Sequence, residues 1–167
     1  MILCFHSFIL SEACQLLEVT GKESAPGNGP INAVELKGNP WLLPEDVKGN
    51  PMGRITYFFT CEVNINGFYV ENVQSENCEE DYNGTNDFTI YAGESPDNWE
   101  LVHEGELSRC GKDTVGGSLN LNAKAIGLVV KSTFGNQGGL QYFWYYYWRV
   151  NQHCTCMIVI FVTYSNK

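Results

Sequence analysis

Positive charge is scarce in this chain. Ten Lys and Arg residues stand against nineteen Asp and Glu, a formal net charge of −9, and such a field repels polyanions over a Debye length of about 8 Å. Nucleic acid does not suit that balance. Anionic phospholipid membrane is disfavoured too, unless a local basic patch or apolar loop tips override the mean. Long apolar runs are also missing: Met157 to Val162 is a run of six, far short of the ~20 residues that span a bilayer. Only His6, His103 and His153 are histidines, and none sits in a nucleophile or metal motif. No G-x-S-x-G elbow, EF-hand spacing or Walker lysine occurs. Nineteen acidic residues make a carboxylate pair unremarkable, so counting them cannot argue for glycoside hydrolysis. The reading is therefore of a protein that is not an enzyme.

What is present is glycine and aromatic side chains. Seventeen Gly, nine Tyr and nine Phe, with only 17% charged residues, favour short strands and tight turns over helices, whose surfaces want Ala, Glu and Lys. Asn86 to Ala92 alternates, placing Phe88 and Ile90 on one side and Thr89 and Tyr91 on a wet one. Turn formers Gly93 to Asn98 follow, and Trp99 to Glu104 resumes the alternation, with Trp99 assigned to the core and His103 to a packed or half-exposed position. Ala125 to Lys131 is a more continuous apolar strand. The glycine loop Phe134 to Gly139 then leads into Leu140 to Trp148, too aromatic and β-prone for a helix. Gly53 to Thr60 and Phe68 to Val73 read as strands, Cys61 to Asn66 as the connection between them, and Ser108 to Asn122 as a long connection holding a short strand.

This order of hairpin, Ser95-Pro96-Asp97 turn leading to Trp99, apolar strand and glycine loop resembles the discoidin, or coagulation factor 5/8 type C, domain family. The likeness extends over roughly Ile31 to Trp148. It implies a galactose-binding-like jelly-roll β-sandwich whose loops at one end bind sugars, phospholipid head groups or proteins. Glu35 stands where the family carries Asp, and the loop to Trp41 is shorter, which sets the family's ion or ligand contact there apart. The organisation that follows is residues 1–20 as a signal or N-terminal extension, 21–150 as the sandwich and 151–167 as a short tail.

Gln74 to Thr85 is the most polar stretch. Its clustered hard oxygen ligands fit either a structural Ca²⁺ held through Glu80 and Asp81 or a solvated acidic loop. Members of the resembled family often hold Ca²⁺ beside such a loop, but with an acidic residue on the closing strand where this chain has Gln141 and Tyr142. Asn83-Gly84-Thr85 is an N-glycosylation sequon. Seven cysteines suit an oxidising compartment, with one left unpaired by the odd count. The resemblance implies a bridge between the chain ends, pairing Cys14 with Cys154 or Cys156. His153-Cys154-Thr155-Cys156 lacks a second ligand pair for zinc. Met1 to Leu10, followed by small residues up to Ala13, reads as a short secretory signal or as a first strand.

Recognition is the function that remains. Aromatic faces stack on sugar rings while amides and carboxylates bind hydroxyls, and the candidates at the presumed binding end are Trp41, Asn77, Asp81, Tyr82, Phe134, Asn136 and Gln137. The first reading is a secreted, extracellular, non-catalytic module for a cell-surface glycan or glycoprotein. The rival is a cell-adhesion domain acting through protein contacts alone.

Overall fold

The computed structural model describes residues 16–21, 27–34, 39–44, 53–74, 84–111 and 114–149. Their elements are β1 (Leu16–Gly21), β2 (Trp41–Leu42), β3 (Gly53–Glu71), β4 (Asp87–Ser95), β5 (Asn98–Glu106), β6 (Thr114–Val130), β7 (Gly139–Leu140) and β8 (Tyr142–Arg149), with short 3₁₀ turns at Pro30–Ala33 and Arg109–Gly111. No α-helix occurs among the described residues. The main sheet runs β1-β3-β6-β4-β5 with β8 also on β3, while β2 and β7 form a separate pair. All these pairings are antiparallel. The all-β expectation holds.

β3 and β6 are each long enough to serve two layers. The first half of β3 lies between β1 and β6, and its second half lies between β8 and β6. Its register breaks between Phe58 and Val63, and bulges of this kind bend a strand. The bend brings the halves face to face: Tyr57 stacks on Phe143 of β8 with centroids 5.1 Å apart, and its hydroxyl donates to the Phe143 carbonyl at 2.9 Å. Burial pushes the Tyr57 phenol well above its ordinary pKa, with the neighbouring Tyr145 adding to the shift. Phe68 reaches across to His103 of β5, centroids 4.6 Å apart. The core between the layers is aromatic and aliphatic, with Phe68, Phe88, Ile126 and Phe143 all buried.

Two connections expected from the sequence are strand instead. Cys61 to Asn66 belongs to β3, because Val63 and Ile65 alternate with Glu62 and Asn64 and are fully buried. Ser118 to Asn122 belongs to β6 for the same reason: Leu119 and Leu121 pack on the core while Ser118, Asn120 and Asn122 are exposed. Glycines at Gly116 and Gly117 masked that alternation. The β4–β5 hairpin turns more tightly than its run of turn formers suggests, at Pro96 and Asp97 alone, with Ser95 opposite Asn98. Gly93 allows this, since a Cβ there would stand 2.4 Å from the Asn98 carbonyl oxygen.

Trp99 is not a core residue. The register of β5 shifts where Ile90 pairs with His103 but Tyr91 pairs with Leu101, so one extra residue reverses the faces. His103 turns inward against Phe68 and Phe88, whereas Leu101 is 49% exposed and Trp99 is half-buried on the outside. There the indole covers Gly127, stacks on Tyr91 at 5.4 Å and lies under the Arg54 guanidinium at 5.4 Å. The face of β4 read as wet is correspondingly dry: Thr89 is buried and Tyr91 half-buried.

Candidate functional site

Three loops meet at the end of the sandwich where β3 and β5 finish and β4 begins. Their centre is Asn72, fully buried. Its amide nitrogen donates to the carbonyls of Thr85 (2.7 Å) and Ser108 (3.0 Å), and its amide oxygen accepts from the backbone N–H of Val73 (3.0 Å) and Thr85 (2.9 Å). An unpaired buried amide is costly, so this full set of partners fixes the three loops to one another. Thr85 extends the tie, its hydroxyl donating to the Gly139 carbonyl at 2.8 Å. The glycine loop is held alongside: Phe134 N–H donates to the Gly84 carbonyl at 3.1 Å, Asn86 N–H to that of Ser132 at 2.9 Å, and Thr85 bridges Thr133. The loop containing the glycines thus docks against the residues that close the acidic stretch.

Arg109 completes the corner. It opens a turn in which Cys110 has φ 74° and Gly111 φ 63°. Two successive left-handed residues turn the chain sharply, and for a non-glycine residue that conformation is strained, as is frequent at functional sites. The turn packs tightly on the Asn72 loop, since a Cβ on Gly111 would lie 2.8 Å from the Asn72 carbonyl oxygen. The Arg109 side chain is exposed and its guanidinium carbon lies 5.5 Å from the centre of the half-buried Phe134 ring. Asn136, exposed, stands two residues further along the same loop. A planar fork of donors beside an aromatic ring, with an exposed amide on the same loop, can bind a small ring that carries vicinal hydroxyls.

The sequence candidates divide accordingly. Phe134 is at this corner, and Asn136 is exposed two residues along its loop. Gln137 supports it from behind, its amide nitrogen donating to the Leu43 carbonyl at 2.6 Å. Trp41 is 0% exposed; β2 pairs it with Leu140, and a ring enclosed on both faces has none left for a ligand. Asn77, Glu80, Asp81, Tyr82 and Asn83 lie outside the described residues, as do Cys14, Cys154 and Cys156. Arg109 and Asn72 are the contributors that sequence reasoning missed. The local signal was a single Arg before Cys-Gly at the close of a hairpin; nothing local marked Asn72, whose partners are 13 and 36 residues away.

His103 lies apart from the corner, inside the sandwich. Burial lowers its pKa from the ordinary imidazole value, with Glu104 opposing the shift. It is a packed strand residue.

No protein-family profile matches the chain and no curated protein matches it. Solved structures do. A family 32 carbohydrate-binding module from Clostridium perfringens NanJ, in complex with galactose, superposes with a TM-score of 0.61 at 11% identity, covering 75% of this chain and 90% of that one. A module attached to a family 89 glycoside hydrolase of the same organism, in complex with GalNAc-β-1,3-galactose, gives 0.56 at 18% identity over 75% and 91%. The family 32 module of AlyQ, in complex with 4,5-unsaturated mannuronic acid, gives 0.58 at 17% identity over 77% and 93%. The fold is the galactose-binding-like β-sandwich.

Proposed function

We propose that this chain is a non-catalytic carbohydrate-binding module that holds a sugar ring at the corner formed by Arg109, Phe134 and Asn136. The observation that carries the reading is the Arg109 guanidinium standing beside the Phe134 ring at a loop junction fastened by a fully buried, fully bonded Asn72. A site held this rigidly loses little entropy on binding. The solved structures of like fold named above contain galactose, an N-acetylgalactosamine disaccharide and an unsaturated uronic acid. Of those, a neutral galactose-type ring suits a chain of net charge −9 best, although Arg109 supplies one local positive group.

The setting proposed is extracellular, with a cell-surface glycan or glycoprotein as partner. Cysteine usage supports it: seven cysteines in a chain of this size suit paired thiols better than free ones. Disulfides form in oxidising compartments.

A glycan array probed with the full chain tests the proposal. Binding confined to galactose- or N-acetylgalactosamine-terminated glycans, and lost in Arg109→Ala and Phe134→Ala, is the expected result. An array without signal, accompanied by self-association in solution, would transfer the function to protein contacts.

A further inference from the structure

The outer face of the second layer carries a feature that the loop corner does not use. Along β8 the side chains of Phe143, Tyr145 and Tyr147 pack inward on the core, so Tyr142, Trp144 and Tyr146 point out. Register lays them across β3 and β6 in three rows: Tyr142 beside Glu71 and Thr114, Trp144 beside Tyr69 and Gly116, and Tyr146 beside Gly67 and Ser118. Trp144 stacks on Tyr69 with centroids 5.6 Å apart and meets Tyr142 at 5.3 Å. Tyr146 is 52% exposed. The third strand adds only small side chains, and a Cβ on Gly116 would meet nothing closer than a carbonyl oxygen at 3.2 Å. The aromatic rings therefore stand above a low floor.

Beyond the third row the face becomes a ladder of amides. Asn64 donates to the side-chain oxygens of Asn122 at 2.9 Å and Asn120 at 3.3 Å, and accepts from the Asn66 amide at 2.8 Å. Asn120 and Asn122 are exposed, and with their oxygens engaged they keep amide N–H groups to offer. Among the described side chains of the three rows the one ionisable carboxyl is Glu71, which is buried and already accepts from the Tyr69 hydroxyl (3.1 Å) and the Gln74 amide.

We infer that this face is a second binding surface, for a stretch of neutral polysaccharide. A pyranose has an apolar face and a rim of hydroxyls, so its partner must pair ring faces with uncharged donors and acceptors. Aromatic rows two residues apart on β8 extend the surface over about 14 Å, which suits several sugar units in line and exceeds what one terminal sugar needs. A charged glycan would find no cation among the described side chains of these rows. Protein interfaces share an aromatic centre and a polar rim; what favours a polysaccharide here is a linear run of rings followed by uncharged amides, with the one carboxyl of the described rows already engaged. The inference stands apart from the corner reading, since it uses different residues and a run of sugar units in place of one terminal sugar.

Affinity electrophoresis of the full chain through gels containing neutral polysaccharides that lack galactose, such as glucomannan, mixed-linkage β-glucan or arabinoxylan, tests it, with free galactose titration as the parallel measurement. At least one polysaccharide should retard the protein, and Trp144→Ala/Tyr146→Ala should weaken that retardation about tenfold or more while galactose binding stays unchanged. Ser118→Arg, which alters an exposed position remote from the core, should weaken it likewise and separates loss of the surface from loss of the fold. Arg109→Ala should remove galactose binding and leave the retardation. Mobility of the wild type unchanged in every neutral gel, retardation unaffected by the variants, or a dimer in solution that shields Trp144 would each overturn the inference.

Discussion

Asn72 and Thr85 are joined twice, the Asn72 amide donating to the Thr85 carbonyl and accepting from its N–H at 2.7 and 2.9 Å. That two-way bond is the geometry of a strand pairing made by one side chain, and it substitutes for a ladder where three loops have none. Asn72→Leu keeps the volume and removes the partners. Each buried group left unpaired costs roughly 1–3 kcal/mol, so the variant should lose about 3 kcal/mol in urea denaturation. A loss under about 1 kcal/mol would mean that the loops hold together by other contacts.

Gly127 and Trp99 make a second testable pair. A Cβ at Gly127 would lie 2.6 Å from the indole, so Gly127→Ala must lift Trp99 from its place against Tyr91. Overpacking of this type costs typically 1–3 kcal/mol. The near-ultraviolet circular dichroism of the variant should lose tryptophan signal, and an unaltered spectrum would contradict the placement of the ring.

How much of this was legible in the chain beforehand depends on the range of the interaction. The β4–β5 hairpin, the Ala125 strand and the closing aromatic strand are local alternations, and they stand as the residues indicate. The alternation assigns Trp99 to the core, whereas a bulge at Val102 reverses the faces, and a bulge leaves no mark in a pattern of polar and apolar residues. Trp41 looked like a loop aromatic because its environment is Gly, Asn and Pro; only the distant β7 strand, pairing it with Leu140, makes it core. At the corner, Phe134 and Asn136 were read from the glycine loop. Arg109 and Asn72 escaped because their roles come from contacts between loops far apart in sequence.

Protonation of His103 should matter to stability. Its pKa in the folded chain is below the ordinary value because burial beside Phe68 and Phe88 disfavours the imidazolium, Glu104 opposing. As pH falls below about 6.5 the unfolded chain binds a proton that the folded one resists. The contribution is thus fully present above that pH and declines as pH falls through the window between the unfolded and folded values. Between pH 7 and 5.5 the wild type should lose more stability in urea than His103→Gln, measured side by side. Equal losses would assign the dependence to other groups.

Peptide mapping under non-reducing conditions checks the bridges. Leu16 pairs with Phe59, and Cys14 and Cys61 lie two residues outward from that pair in opposite chain directions; Gly111 lies against Gln74, four residues before Cys78. The expected products are Cys14–Cys61 and Cys78–Cys110. Recovery of Cys14 linked to Cys154 or Cys156 would restore the end-to-end bridge suggested by the discoidin resemblance.

The most direct test of sugar recognition at the loop corner is a titration of the isotope-labelled chain with galactose, followed by nuclear magnetic resonance up to about 10 mM, a range that captures dissociation constants near 1 mM, or about −4 kcal/mol. The account predicts saturable shifts concentrated at the backbone amides of Arg109, Phe134 and Asn136, absent in a folded Arg109→Ala variant. An unchanged spectrum, or shifts that spare those three positions, would contradict it.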